Sequence, residues 1–207
     1  MAKAMKMMRR GGIARGRKHA DSGFSLLEVM ISMVILTIGL VSLLGVFGLA
    51  MAATQTSQED MIAKQLANEA YESIVTARNS SQLAWSQIQN ASACSGGTNP
   101  TTAGIFLNGT TPIYKAGADG IVGTCDDVNA GPQTLEEPGP DGNYGNSDDV
   151  MIPLTPYQRT ITIAAVQDAD GNTINSMRSV TISIQYSSPQ LRQQKTYTLN
   201  SYISMYQ

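Results

Sequence analysis

The sequence predicts an α+β fold, in which one long N-terminal helix packs on a C-terminal antiparallel β-meander. Residues 24–53 form an apolar run of thirty residues. Residues 54–78 continue with apolar side chains about every fourth position, as one face of an amphipathic helix requires. Residues 151–207 instead alternate apolar and polar side chains, the pattern of half-buried strands. A single helix from about Ser25 to Arg78 is too long for a small core, so we expect a helical stalk with a head.

Positive charge is concentrated in the first 23 residues. This segment contains seven of the fourteen Lys and Arg side chains and one acid, Asp21, whereas residues 24–207 carry a net charge of −8. Basic residues before an apolar span keep the N-terminus in the cytoplasm and send the acidic remainder across the membrane. A nucleic-acid-binding arm is the alternative interpretation, but the adjoining span already explains the charge. We therefore expect no nucleic-acid partner.

The apolar run starts with Phe24, directly after Gly23, and contains one ionisable side chain, Glu28. Thirty helical residues extend about 45 Å, which is enough to cross a bilayer. A secretory signal core is shorter, at about 7–15 residues. A carboxylate at membrane depth costs roughly 2.5–3.5 kcal/mol on insertion scales, which favours a functional role for this acid.

The amphipathic helix is expected to end at residues 79–81, where Asn-Ser-Ser interrupts the pattern. A short helical segment is expected around Trp85. Residues 93–150 are rich in Gly, Asn, Asp, Thr and Pro and predict a long loop region. Three strands follow, with turns expected at residues 168–172 and 187–190.

The two cysteines, Cys94 and Cys125, both lie in the acidic part of the chain. In an oxidising compartment an even number of cysteines predicts a disulfide, and two unpaired thiols are the alternative. The bond would close a loop and stabilise the head by about 3–4 kcal/mol on the chain-entropy model.

An acidic motif of twelve residues occurs twice, at residues 117–128 and 139–150, with seven identical positions. Each copy has one Asp before a glycine turn and two Asp after a second glycine. Calcium binds six to eight oxygens, and glycine turns bring such groups together, so the motif predicts a calcium site. Two solvated Asp-Gly turns are the alternative, although six clustered carboxylates would repel one another without an ion. The expected ligands are Asp119, Asp126, Asp127, Asp141, Asp148 and Asp149.

Residues 23–29, Gly-Phe-Ser-Leu-Leu-Glu-Val, follow a basic leader and precede the apolar helix. This arrangement resembles the cleavage and methylation motif of type IV prepilins and of the pseudopilins of type II secretion. The apolar run is most similar to that of PilV-type minor pilins. The resemblance covers residues 1–78 closely and the pilin-like plan of helix and meander loosely, while residues 93–150 match no part of the family.

The resemblance implies a route of assembly. A prepilin peptidase is expected to cut between Gly23 and Phe24 and to methylate the new amine of Phe24. Glu28 is then expected to face the Phe24 amine of a neighbouring subunit, where the two charges offset each other's desolvation and set the axial register. The expected partners are the peptidase, other pilin subunits, the inner membrane and the pilus assembly machinery.

These features divide the chain into four segments. They are a leader that is removed (1–23), a membrane and filament-core helix (24–53), its amphipathic continuation (54–80), and a head (81–207) that contains the Asp/Gly-rich region at 93–150 and the meander at 151–207. Before assembly the chain should cross the inner membrane once with its head in the periplasm, and afterwards it should lie in a pilus at the cell surface.

The resemblance implies a structural, minor subunit of a type IV pilus that supports pilus biogenesis, adhesion or motility. A minor pseudopilin of a type II secretion system and a calcium-dependent surface adhesin are the alternatives. A metal-dependent hydrolase has little support, because the only histidine, His19, lies in the leader and no catalytic triad, phosphate loop or CxxC motif is present. We expect no catalytic residues and no enzymatic activity.

The mature chain should begin at N-methyl-Phe24, because a glycine at position 23 leaves the backbone open to the peptidase. Mass spectrometry of the N-terminal peptide of the purified chain checks this. Any other start, including a signal-peptidase cut near Ala53, would contradict the resemblance.

Overall fold

The computed structural model describes residues 25–92, 94, 96–188 and 193–206. Two compact units can be distinguished, Met1–Gly48, of which residues 25–48 are described, and Leu49–Gln207. The predicted cleavage residues, Gly23 and Phe24, lie outside the described residues.

Helix α1 extends from Leu26 to Asn79, which confirms the predicted helix to within one residue at each end. Its side chains in the first unit are exposed throughout. An eighteen-residue window of the helix has a mean hydropathy of 2.6 and no buried residue, so α1 is long and apolar enough to span a membrane. The last turn is anchored by Arg78, whose guanidinium donates to the carbonyls of Ser204 and Tyr206.

The other elements follow in chain order. They are a 3₁₀-helix at Trp85–Gln87, β1 (Thr110–Pro112), α2 (Asp127–Ala130), β2 (Thr134–Glu137), β3 (Val150–Pro153), β4 (Tyr157–Gln167), β5 (Thr173–Ser188) and β6 (Gln193–Ser204). Four strands form an antiparallel sheet in the order β1-β4-β5-β6, and β2 and β3 form a separate two-stranded sheet.

The core of the second unit lies between α1 and the four-stranded sheet. The helix buries a stripe of mostly small side chains at helical spacing, and β5 contributes alternate aliphatic side chains. These residues are Ala63, Leu66, Ala67, Ala70, Ile74 and Ala77 on the helix and Val180, Ile182 and Ile184 on the strand. This packing confirms the predicted α+β, pilin-like arrangement of a long helix on an antiparallel sheet.

Two sequence expectations need correction. Residues 93–150 are not one continuous loop, since β1, α2 and β2 lie within them. These elements have only three or four residues each, which is too short for an apolar period to be visible. The second predicted turn starts too early, because Ser187 and Ser188 belong to β5, and its other two residues, 189 and 190, lie outside the described part. The first turn is confirmed, with the Asp168 carboxylate accepting from the amides of Asp170 and Asn172.

Candidate assembly helix and metal site

Glu28 lies in the first turn of α1, and its amide donates to the carbonyl of Ser25 at 2.9 Å. Its side chain is exposed and borders a shallow groove with the apolar side chains of Leu27, Ile31 and Ile35. An isolated carboxylate on an otherwise apolar helix surface is expensive to place in lipid or protein unless it meets a counter-charge. The structure describes only one half of the expected pair, because Phe24 lies outside the described residues.

In the first acidic repeat, Asp127 is fully buried and organises the backbone. Its carboxylate accepts hydrogen bonds from the amides of Gly117 at 2.7 Å, Gly123 at 2.5 Å and Thr124 at 3.2 Å. Burial raises the pKa of Asp127 to about 6, although these three N–H donors and the nearby Arg159 act in the opposite direction. Asp127 is therefore the side chain that closes this loop.

Asp119 and Asp126 lie beside Asp127, and one carboxylate oxygen from each of the three residues lies within 4.8 Å of the other two. The side-chain amide of Asn99 bridges the first two, donating to Asp119 at 2.7 Å and to Asp126 at 2.8 Å. Burial raises the pKa of Asp119. Burial also acts to raise the pKa of Asp126, but hydrogen bonds, the largest from Thr124, hold it below the usual value.

The second repeat reproduces this scaffold 22 residues later. Asp149 accepts from the amides of Gly139 at 3.3 Å, Gly145 at 2.6 Å and Asn146 at 2.9 Å, at positions that match the three donors to Asp127. The side chain of Asp141 likewise accepts from a backbone amide two residues further on, as that of Asp119 does. The repeated sequence therefore encodes a repeated loop, in which the last Asp holds the backbone.

The first glycine of each copy is required by a close approach. A Cβ atom at Gly117 would lie 2.4 Å from Oδ2 of Asp126, and one at Gly139 would lie 2.3 Å from Oδ2 of Asp148. Any larger residue would push this carboxylate away. The glycines of the motif thus belong to the loop scaffold itself.

The two copies occupy different places in the fold. The first packs against α1, where the amide of Val122 donates to Ser73, and just beyond the end of the helix the side chain of Gln82 donates to the carbonyl of Asp119. The second connects β2 to β3, and both Asp141 and Asp148 are exposed.

The six predicted ligands are not gathered into one close group among the described residues. Among the described residues, only the carboxylates of the first copy form a group of three within 4.8 Å. Sequence identity between two loops does not specify where each loop packs, and only the first copy lies against the helix.

Cys94 and Cys125 form the predicted disulfide, with their Cα atoms 5.5 Å apart. Cys125 is buried and directly precedes Asp126 in the first repeat. The bond also closes the segment that contains Asn99. The disulfide therefore ties this bridging amide to the loop that it contacts.

Sequence analysis missed two residues of the site. Arg159 on β4 is 2 % exposed, and its Nε and Nη1 atoms have no hydrogen-bond partner among the described residues. Burial lowers the pKa of this guanidinium, while Glu69 and Asp127 raise it, so Arg159 supplies positive charge beside the buried acid. The sequence did carry a signal for the burial of Arg159, because it alternates with Tyr157 and Ile161 on one face of a strand. No sequence signal points to Asn99.

Residues 18–44 match the family model of the prokaryotic N-terminal methylation motif. The match covers the expected cleavage position and the first part of α1. It supports a type IV pilin-like or pseudopilin-like subunit and indicates a structural subunit rather than an enzyme. It also implies processing by a prepilin peptidase and assembly with other pilin subunits, and together with the apolar helix it fits membrane anchoring before assembly. Neither the comparison with curated proteins nor that with solved structures found a match.

Asp127→Asn should change how the free energy of unfolding depends on pH. A carboxyl whose pKa is raised from 3.8 to about 6 keeps its proton in the folded chain and loses it in the unfolded chain between these values, so stability falls as pH rises through this interval. The stability of the wild type relative to the variant should therefore decrease between about pH 4 and 6. Urea unfolding of the full chain in detergent, followed at several pH values, measures this difference.

Asp149→Asn is the matched control, because Asp149 also accepts from three amides but its pKa is lowered, chiefly by the Asn146 amide. The stability that the Asp149 carboxylate contributes is lost only as pH falls through and below the usual carboxyl range. The free energy of unfolding of the wild type relative to Asp149→Asn should therefore stay constant between pH 4 and 6. Equal pH profiles for the two variants would contradict the buried role of Asp127.

Proposed function

We propose that this chain is a minor subunit of a type IV pilus, held in the inner membrane before assembly and incorporated through its N-terminal helix. The observation that carries the proposal is the methylation motif at residues 18–44, placed at the start of an apolar helix whose side chains are exposed. Such a helix needs lipid in the membrane and other apolar helices in a filament. The expected route takes the head through the periplasm to the cell surface.

Charge supports a minor rather than a major role. Residues 24–207 carry a net charge of −8, and residues 116–158 contain eight acids and no Lys or Arg. Heads of the same strong charge repel one another when they are packed side by side. Dispersing this chain among other subunits avoids that repulsion. A minor pseudopilin would share the motif and the helix, and isolation of the assembled fraction distinguishes the two.

The proposed role of Glu28 is to pair with the methylated amine of a neighbouring subunit. In an apolar filament core, burying either charge alone would cost much free energy. Burying the two charges as a pair, with additional hydrogen bonds, would cost much less. The pairing would favour one axial position of each subunit.

We also propose that the first acidic repeat binds calcium, which would contribute to the order of the head or to adhesion. Asp119 and Asp126 are the proposed ligands, because both are only half-buried, whereas Asp127 is fully buried and holds three backbone amides. The amide of Asn99 lies between the two ligands, and a rotation that exchanges its N and O atoms would add an oxygen to the set. Oxygen ligands of this kind suit calcium.

Glu28→Ala should leave membrane insertion intact and reduce incorporation. Removing one partner of a buried ion pair costs about 3–5 kcal/mol, so the fraction of chain in the assembled material should fall by about tenfold or more. Immunoblotting of sheared filaments against membranes measures the ratio. Glu72→Ala, which removes an exposed acid later in the same helix, is the control and should assemble normally. Equal incorporation of the two variants would contradict the pairing.

Millimolar calcium should raise the melting temperature of the full chain in detergent relative to chelator. The gain follows RT ln(1 + [L]/Kd), about 2.7 kcal/mol at a hundredfold excess over Kd. Magnesium should substitute poorly, because it requires a tighter octahedral site. Asp119→Asn with Asp126→Asn should abolish the gain, whereas Asp168→Asn with Asp170→Asn, in an ordinary Asp-Gly turn, should retain it. A melting temperature that is the same in calcium and in chelator would favour solvated turns.

A further inference from the structure

Strand β6 forms a long unpaired edge of the four-stranded sheet. It pairs with β5 over twelve consecutive positions without a bulge, and among the described residues no strand pairs with its other side. In an edge strand about every second residue directs its N–H and C=O groups away from the sheet. These groups are a template for one more strand.

The opposite side of the sheet is closed. Strand β1 has three residues, one of them Pro112, and pairs with residues 158–160 of β4. Beyond β1, the side chain of Asn90 donates to the carbonyl of Ile161 at 2.7 Å and accepts from the amide of Ile163 at 2.8 Å. The side-chain amide of Asn90 thus makes the contacts with β4 that a neighbouring strand would make. Among the described strands of this sheet, only β6 therefore offers a long edge.

The features that usually protect an edge are missing from β6. It has no proline and one charge, Lys195, which is paired with Asp60 at 3.0 Å. Proteins commonly guard exposed edges with charge, proline, bulges or short strands. Near the end of β6, Tyr202 and Tyr206 are 65 % and 72 % exposed and offer aromatic contact area. This combination is typical of an edge that is covered in the working assembly.

We propose that β6 accepts an extended strand from a different subunit of the same assembly. The inference rests on the proposed function and adds the chemistry of the partner contact. In a filament whose helices all point the same way, neighbouring copies are related by rotation and rise, so if the sheet edges of two copies meet, β6 of one copy faces the closed edge of the next. Two β6 edges can pair antiparallel only about a two-fold axis, which such a filament lacks. The strand therefore comes from another chain.

The structure also limits the sequence of that strand. Tyr197 and Leu199 are half-buried on the helix side of β6, whereas Thr198 and Asn200 are exposed on the outer side. The added strand should place apolar side chains beside the first pair and polar ones beside the second. Main-chain hydrogen bonds would supply affinity, and this alternation would supply register.

Hydrogen exchange of the full chain, resolved to single amides by mass spectrometry, tests the proposal. In detergent-solubilised chain, about every second amide of β6 should exchange rapidly, and in assembled material these amides should exchange at least about tenfold more slowly. Amides of β5, which is paired on both sides, should be protected in both samples. Rapid exchange of the outward β6 amides in assembled chain would overturn the inference and leave the proposed function intact. Absence of the chain from assembled material would overturn both.

A photo-reactive amino acid at Thr198 or Asn200 identifies the strand. The control is Ser183 on β5, which faces Thr198 across the ladder with the two hydroxyls 3.1 Å apart. A label at Thr198 should form an adduct with one subunit of the assembly, and moving it to Asn200 should shift the attachment point by about two residues along one segment. The Ser183 label should form far less adduct. Equal labelling from Ser183, or attachment points scattered over several segments, would contradict strand addition.

Discussion

The apolar run that begins α1 has to be removed from water, and the rest of the molecule depends on this requirement. All described side chains from Ser25 to Ala50 are exposed in the isolated chain, so lipid or other protein must cover them. Lipid can do this before assembly and helices of other subunits can do it afterwards. The later part of the same helix contributes to the core of the second unit.

The head combines a conventional core with a specialised acidic region. Its helix and sheet pack through small and aliphatic side chains, while the two repeated loops use one Asp each to hold several backbone amides. In the first loop, burial of Asp127 beside Arg159 and the disulfide at Cys125 make the loop part of the folded core. In the second loop the same hydrogen bonds form at an exposed connection. One sequence motif is thus used once as a core element and once as a surface element.

Long periodic elements were readily predicted from the sequence. The apolar period determined α1 to within one residue, and strict alternation located β4, β5 and β6. Strands β1 to β3 were missed because each has only three or four residues, which is too few to show an alternating pattern. The grouping of the acids could not be predicted for a different reason: whether two similar loops meet depends on tertiary packing, which the local sequence does not contain. Arg159 had a readable signal in the alternation of β4, whereas Asn99 acts through a contact 20 and 27 residues away along the chain.

Assembly through the N-terminal helix is tested most directly by zero-length cross-linking of assembled material with an apolar carbodiimide, which joins a carboxylate to an amine that touches it. The expected product is an amide between Glu28 and the methylated N-terminal amine of a neighbouring subunit, seen as a covalent species of two or more chains and located by mass spectrometry. The Glu28→Gln chain should lack it. Assembled material that contains the chain but yields no such amide would contradict the proposed contact.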